Sequence, residues 1–317
     1  MKKIYQGTGF IDYAGYHQCI VLENKTTRVI LGPHCGGRIL EYSWKENNVI
    51  YLDPKQDGWG YTPGKPEIDP YGGRFDIGPE MTAPKHPLLW VGKWNWEIIG
   101  ARAARLISQI DQATGVQLIR EFRLDKDSSH LRCRQIMKNI SKEINEYCYW
   151  SRTLACGDGI CIVPMSLNSR FPHSYIMYGP GSVINYKPID SKIKLRDGFL
   201  EITGPPANPK LGIDSYAGWL GYLLPDNLLF VKKFPVYPDR IYNEMAAITI
   251  SIYYTDRLCE LEPIGPRERL QPGDSASFIE DWWLLEYNFQ SKLDLKRIGQ
   301  FIQKVFKAGN SQQGLCA

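Results

Sequence analysis

Glu260 and Glu262 stand two apart in the run Leu258-Cys259-Glu260-Leu261-Glu262-Pro263. In an extended strand successive side chains point to opposite faces. The two glutamates therefore share one face, and Cys259 and Leu261 share the other. A carboxylate near a strand end, fixed by the proline after it, suits a general base or an acceptor of hydrogen bonds from hydroxyl groups. On an edge strand the same residues would be only a solvated face.

The chain offers five histidines. His86 lies in Pro84-Lys85-His86-Pro87, and His173 in Phe171-Pro172-His173-Ser174-Tyr175. Both are candidate site residues, although a loop histidine flanked by proline is slightly more often a structural turn element. His34 sits in the corner Gly32-Pro33-His34-Cys35-Gly36-Gly37 and is a weaker candidate for ligand contact. His17 and His130 read as ordinary strand positions. Arg74 and Glu80 bracket a Gly-Pro-rich turn, where they would bind hydroxyls or pair with each other. Arg152 cannot give up a proton at ordinary pH, but its guanidinium can grip a carboxylate or sulfate with two hydrogen bonds. Lys232-Lys233 follows an apolar strand, so one should point inward and one outward; Lys233 is a candidate contact for an anionic ligand. Trp90, Trp94 and Trp96 follow His86 closely, and Trp94 is a candidate stacking surface, with core packing as the alternative. Asp76 and Asp239 lack an Asp-x-Asp context, so no metal is expected, and no cofactor motif is present.

The elements that must hold these groups are strands. The dominant period is two, at 28–31, 38–44, 49–52, 130–137, 246–254 and 281–285. Segments 104–110 and 116–124 flank the turn Asp111-Gln112-Ala113-Thr114-Gly115 and read as a hairpin. Between them lie loops rich in Gly, Pro and aromatics at 53–96, 157–190 and 203–218, and loops of that length tend to bind ligands. Only the tail has helical spacing, with Leu293, Leu295, Ile298, Phe301, Ile302, Val305 and Phe306 recurring at three and four. A polar, frayed end follows at 309–313. The expected organisation is one domain, with residues 1–290 as the β body and 291–317 as its C-terminal helix and tail.

With 317 residues, 43% apolar and 23% charged, the chain is globular and can bury a large core. A formal charge of +4, without a basic block, argues against nucleic acid. No stretch of about 18 apolar residues is present, so no membrane span is expected. Nine Trp and 19 Tyr are unusually many and suit sugar faces as well as a β core. Eight scattered cysteines form no CxxC pair and fit a reducing compartment, with Cys156 and Cys161 the one pair that an oxidising space would bridge. The expected location is therefore cytoplasmic, or periplasmic or secreted if a leader has been removed.

Five segments, in order, resemble the galactose-mutarotase-like superfamily. They are Gly36-Gly37-Arg38-Ile39-Leu40-Glu41-Tyr42; Tyr71-Gly72-Gly73-Arg74-Phe75-Asp76-Ile77-Gly78-Pro79-Glu80; Lys138-Asn139-Ile140-Ser141 with Tyr149-Trp150-Ser151-Arg152-Thr153; Gly218-Trp219-Leu220-Gly221-Tyr222 with Leu229 to Phe234 and Tyr237-Pro238-Asp239; and the Glu-Leu-Glu-Pro run with Asp281-Trp282. They span roughly residues 28–286. The resemblance implies an all-β fold, a large antiparallel β-supersandwich with a concave face that binds a mono- or oligosaccharide. It implies a monomer or homodimer that interconverts sugar anomers like an aldose 1-epimerase. Glu262 matches the family's base. The family's acid, a histidine in a His-x-Tyr motif about a dozen residues beyond the matched Asn139, is replaced by Trp150-Ser151-Arg152, so the resemblance implies His173, in the later His173-Ser174-Tyr175, or His86 as the acid. That departure leaves a glycan-cleaving hydrolase or lyase, or a sugar-binding domain without catalysis, as alternatives.

Overall fold

The computed structural model describes residues 5–166, 168–180, 183–288 and 293–313, with side chains to 308. Among these, nearly all regular structure is antiparallel sheet. One sheet has 13 strands and the other 10. Alternation explains how they pack. In Val116–Leu124, residues Val116, Leu118, Phe122 and Leu124 are buried, and between them stand Gln117, Glu121 and Arg123. In Leu131–Asn139 the inward set is Leu131, Cys133, Gln135 and Met137. These two strands pair in continuous register from Leu131↔Leu124 to Asn139↔Val116, and the hairpin expected across Asp111–Gly115 pairs Ala103–Ile107 with Val116–Leu124. The interior shared by the two sheets is one large apolar cluster that includes Tyr42, Phe75, Tyr149, Phe230 and Trp282.

The middle of the 13-stranded sheet runs Gly73–Gly78, Asn145–Cys156, Leu258–Pro263, Ile250–Tyr254, Lys210–Ile213 and Ile176–Tyr178. Three of these strands lie within segments expected to be loops. Gly73–Gly78 interrupts 53–96, Ile176–Tyr178 interrupts 157–190, and Lys210–Ile213 interrupts 203–218. Two other strand expectations also shift. Segment 49–52 contributes only a bridge, Ile50↔Ala155. The strand expected over 246–254 starts at Ile250, because Ala246 and Ala247 take positive φ in a short 3-10 turn.

The C-terminal helix, Leu295–Gln313, lies on the 10-stranded sheet. It buries Leu295, Ile298, Ile302 and Phe306 against Trp219, Val231 and Trp283. Spacing of three and four puts these on one stripe, as the sequence suggests. The helix continues through 309–313, the segment expected to fray; Cys316 lies outside the described residues. Cys156 and Cys161 are not bridged. No helix among the described residues is long and apolar enough to cross a membrane.

Between the strands Thr27–Gly32 and Arg38–Trp44, Gly36 and Gly37 turn the chain with φ of 66° and 53°. A Cβ on Gly37 would sit 2.5 Å from Cε3 of Trp94. Left-handed backbone and overpacking both penalise a side chain here. Gly37→Ala is expected to cost about 2–4 kcal/mol, read as a lowered urea midpoint with unchanged slope. A midpoint equal to wild type would show that Trp94 moves aside freely.

Candidate functional site

Period-two alternation sorts the central strands into a core face and an outer face. Phe75 and Ile77, Tyr149, Ser151 and Thr153, and Cys259 and Leu261 face the core. Arg74 and Asp76, Trp150 and Arg152, and Glu260 and Glu262 take the other face. Register brings them together, since Arg152 lies opposite Arg74, Trp150 opposite Asp76, and Leu154 opposite Glu260. Arg152 is the hub. Its Nε lies 3.2 Å from Glu262 Oε1 and 3.7 Å from Glu260 Oε2, and its Nη2 is 3.5 Å from Glu80 Oε1. The guanidinium stacks over Trp150 at 5.0 Å. Lys210, from the next strand but one beyond Leu258–Pro263, pairs with the other oxygen of Glu80 and lies 5.3 Å from both the Trp150 and Tyr178 rings.

The two glutamates diverge in proton affinity. Burial pushes Glu262 up, but a hydrogen bond from Glu260 and the Arg152 charge outweigh it and hold the carboxyl at about 2. Burial and the Glu262 charge push Glu260 well above the usual carboxylate range. Glu260 thus binds a proton more tightly than Glu262, to which it is hydrogen-bonded. They are interior residues of a central strand, which excludes the solvated edge-strand alternative.

His86 supplies the imidazole. Its Nε2 is 2.8 Å from Asp76 Oδ1, and its Nδ1 contacts the Pro84 carbonyl. Burial alone lowers the affinity of His86 for a proton, yet the bond to Asp76 and its charge outweigh that and raise it above 6.5. Asp76, which burial would raise, is held at about 2 by the same bond. The raised His86 value contributes stability that is complete below 6.5 and lost as pH rises through the folded value. The lowered Asp76 value contributes stability present above 3.8 and lost as pH falls towards 2. Asp76→Asn removes the compensating charge and leaves burial, so the His86 midpoint is expected to fall in an NMR pH titration. An unchanged midpoint would remove the pair as its cause.

Arg74 is fully buried under the Trp90 ring at 5.0 Å. Its partner is Asp69, with Nη1 and Oδ1 2.6 Å apart, rather than the expected Glu80. None of its three side-chain nitrogens makes a directed hydrogen bond, and Trp150 Nε1 has no acceptor either. Arg74 Nε and Nη2 and the Trp150 indole thus lack protein acceptors on one sheet face, which is costly unless a ligand or solvent supplies them.

The remaining candidates lie elsewhere. His173 Nδ1 is 2.8 Å from the Pro188 carbonyl, in a separate cleft with Tyr175 and Asp190, and no described contact ties it to the glutamates. Trp94 is a core residue whose Nε1 donates to the Leu89 carbonyl, so it offers no stacking surface. His34 stacks on Tyr16 at 5.0 Å near the glycine corner. Lys233 belongs to the other sheet and lies 4.9 Å over Phe306 of the helix. Lys232 is the inward neighbour, as alternation requires. Lys210, Tyr178 and Asp69 escaped the sequence reading. The first two stand on short strands with no local signal, and Asp69 is far in character from a ligand motif.

No protein-family model and no curated protein matches the sequence. Solved structures do match in fold. A galactose mutarotase-like protein from Lactobacillus casei superposes with a TM-score of 0.59 at 10% identity, covering 84% of this chain and 100% of its own. A galactose mutarotase related enzyme from Lactobacillus acidophilus gives 0.57 at 10%, covering 87% and 100%. A galactose mutarotase-like protein from Clostridium acetobutylicum gives 0.55 at 11%, covering 89% and 99%. The chain has the galactose-mutarotase-like fold.

Proposed function

We propose that the protein binds a mono- or oligosaccharide on the outer face of the central strands and interconverts the anomers of a free aldose by general acid–base catalysis. The observation that carries this reading is that the glutamate pair held by Arg152 shares one sheet face with Asp76, the carboxylate that holds the His86 imidazole. His86, whose hold on its proton the Asp76 carboxylate strengthens, is the donor to the ring oxygen. Glu262 is the acceptor for the anomeric hydroxyl proton. A carboxylate held at about 2 accepts a proton reluctantly. Glu262 therefore becomes a base only when a ligand hydroxyl draws Arg152 away from its 3.2 Å contact. Arg74 and Trp150 supply the donors for further hydroxyls, and Glu80 and Lys210 close the rim.

The glycan-cleaving alternative draws less support. A hydrolase needs two carboxyl groups on either side of the scissile bond, whereas Glu260 stands beside Glu262 on one strand, Asp76 is bonded to His86, and Glu80 is paired with Arg152 and Lys210. A sugar-binding role without turnover is supported by Trp150-Ser151-Arg152 standing where the resemblance implies a histidine acid. NMR exchange spectroscopy between the anomers of common aldoses decides between the two. Accelerated exchange on at least one aldose is the expected result. Ligand-induced shifts with no acceleration would overturn catalysis and leave binding.

A further inference from the structure

The other side of the sandwich carries a second cleft. It has a volume of about 1160 Å³ and lies between the C-terminal helix and the outer face of the 10-stranded sheet. One wall is apolar, with Phe301 and Val305 from the helix and Leu285 from the strand Ser275–Glu286. The opposite wall holds Arg123 and Arg132, which are direct cross-strand neighbours. Like charges so placed repel unless something neutralises them.

Elsewhere on these strands the outward arginines are matched to acids. Arg105 pairs with Glu121 at 2.8 Å, and Arg134 reaches the same carboxylate at 3.4 Å. Among the described residues, Arg123 and Arg132 have no ion pair. The four acids that line or adjoin the cleft are committed to other groups: Asp127 pairs with Lys126 at 3.5 Å, and Glu286 takes the Lys45 ammonium at 2.7 Å and the Trp44 indole at 3.4 Å. Asp281, opposite Arg132 in the ladder, bonds His130 Nε2 at 2.7 Å, and that ring lies flat on Trp283 at 4.6 Å. Asp125 takes the backbone N–H groups of Asp127 and Ser128 and the Ser128 hydroxyl.

We propose that this cleft is a second ligand site, for a small organic anion with an apolar ring or chain. Its carboxylate, sulfonate or phosphate group bridges Arg123 and Arg132, whose guanidinium forks suit such oxygens. Its apolar body lies against Phe301 and Val305. The site is independent of the glutamate cluster, because it stands on different strands and on the opposite surface of the sandwich.

The probe is 8-anilinonaphthalene-1-sulfonate titrated into the full chain, with N-phenyl-1-naphthylamine as its uncharged counterpart. Saturable dye fluorescence is expected for the wild type. The R123Q/R132Q double variant should weaken binding by on the order of tenfold, and R134Q, a control outside the cleft, should not. The uncharged dye should bind at least about tenfold more weakly than the sulfonate and be indifferent to the double variant. Circular dichroism of the double variant guards against misfolding, and in a misfolded sample the salt dependence of wild-type binding, which should weaken as salt rises, takes its place. No saturable binding, equal affinity for the two dyes, or an affinity unchanged by R123Q/R132Q or by salt would overturn the proposal.

Discussion

Glu262→Gln is expected to reduce anomer exchange by roughly 10²–10⁴-fold, the usual weight of a positioned proton acceptor, while the protein stays folded. The side chain keeps its shape and one oxygen for Arg152, but it can no longer take a proton. Stability should change little, for a reason specific to this pair. Glu260 holds a proton chiefly because it is buried and because Glu262 is charged beside it. With that charge removed, Glu260 ionises more readily and takes over Arg152, whose Nε is already 3.7 Å away. The measurement is exchange spectroscopy on whichever aldose the wild type accelerates, alongside a urea transition. Undiminished exchange would remove Glu262 from the mechanism. A collapse of the transition would instead make the residue structural.

Lys232→Met is expected to be the most destabilising single change, at about 3–5 kcal/mol. Lys232 is fully buried and lies 3.0 Å from Glu280, itself fully buried. Its ammonium also donates to the hydroxyls of Ser151 and Thr153 and to the Leu261 carbonyl, at 3.3, 2.9 and 2.8 Å. Removing the lysine leaves the Glu280 charge in the core with only Gln135 and Trp282 as donors. Replacing both members, as Lys232→Met with Glu280→Leu, removes the stranded charge and should recover much of the loss. Urea unfolding of the two single variants and the double closes the cycle. A double variant no better than the worse single would show that the hydroxyl contacts, not the charge pair, dominate.

Parts of this site were legible in the sequence and parts were not, for identifiable reasons. The common face of Glu260 and Glu262 follows from strand alternation, and it holds because the whole 258–263 segment is extended. Arg74 and Asp76 were recognised as residues but not as a strand, since Gly72-Gly73 and the turn-rich flanks hide six extended residues. That omission also blurred the choice of histidine. His86 and His173 have similar proline-flanked surroundings, and what separates them is the Asp76 carboxylate on the unrecognised strand. Arg74 with Asp69, rather than Glu80, is a tertiary choice that no local pattern encodes. The architecture was easier to read. It rests on periodicity repeated over many strands, so the mistaken strand at 49–52 did not alter it.

The lysine beneath the central strands also bears on how the chain assembles. Ser151 and Thr153 meet Lys232 while Arg152, between them, faces the opposite way. Sliding this strand by one position would drive a guanidinium towards an ammonium and leave both serine and threonine outside. Such a product would be heavily penalised at birth. A single interior cation thereby acts as a proofreader for the alignment on which every residue of the outer face depends.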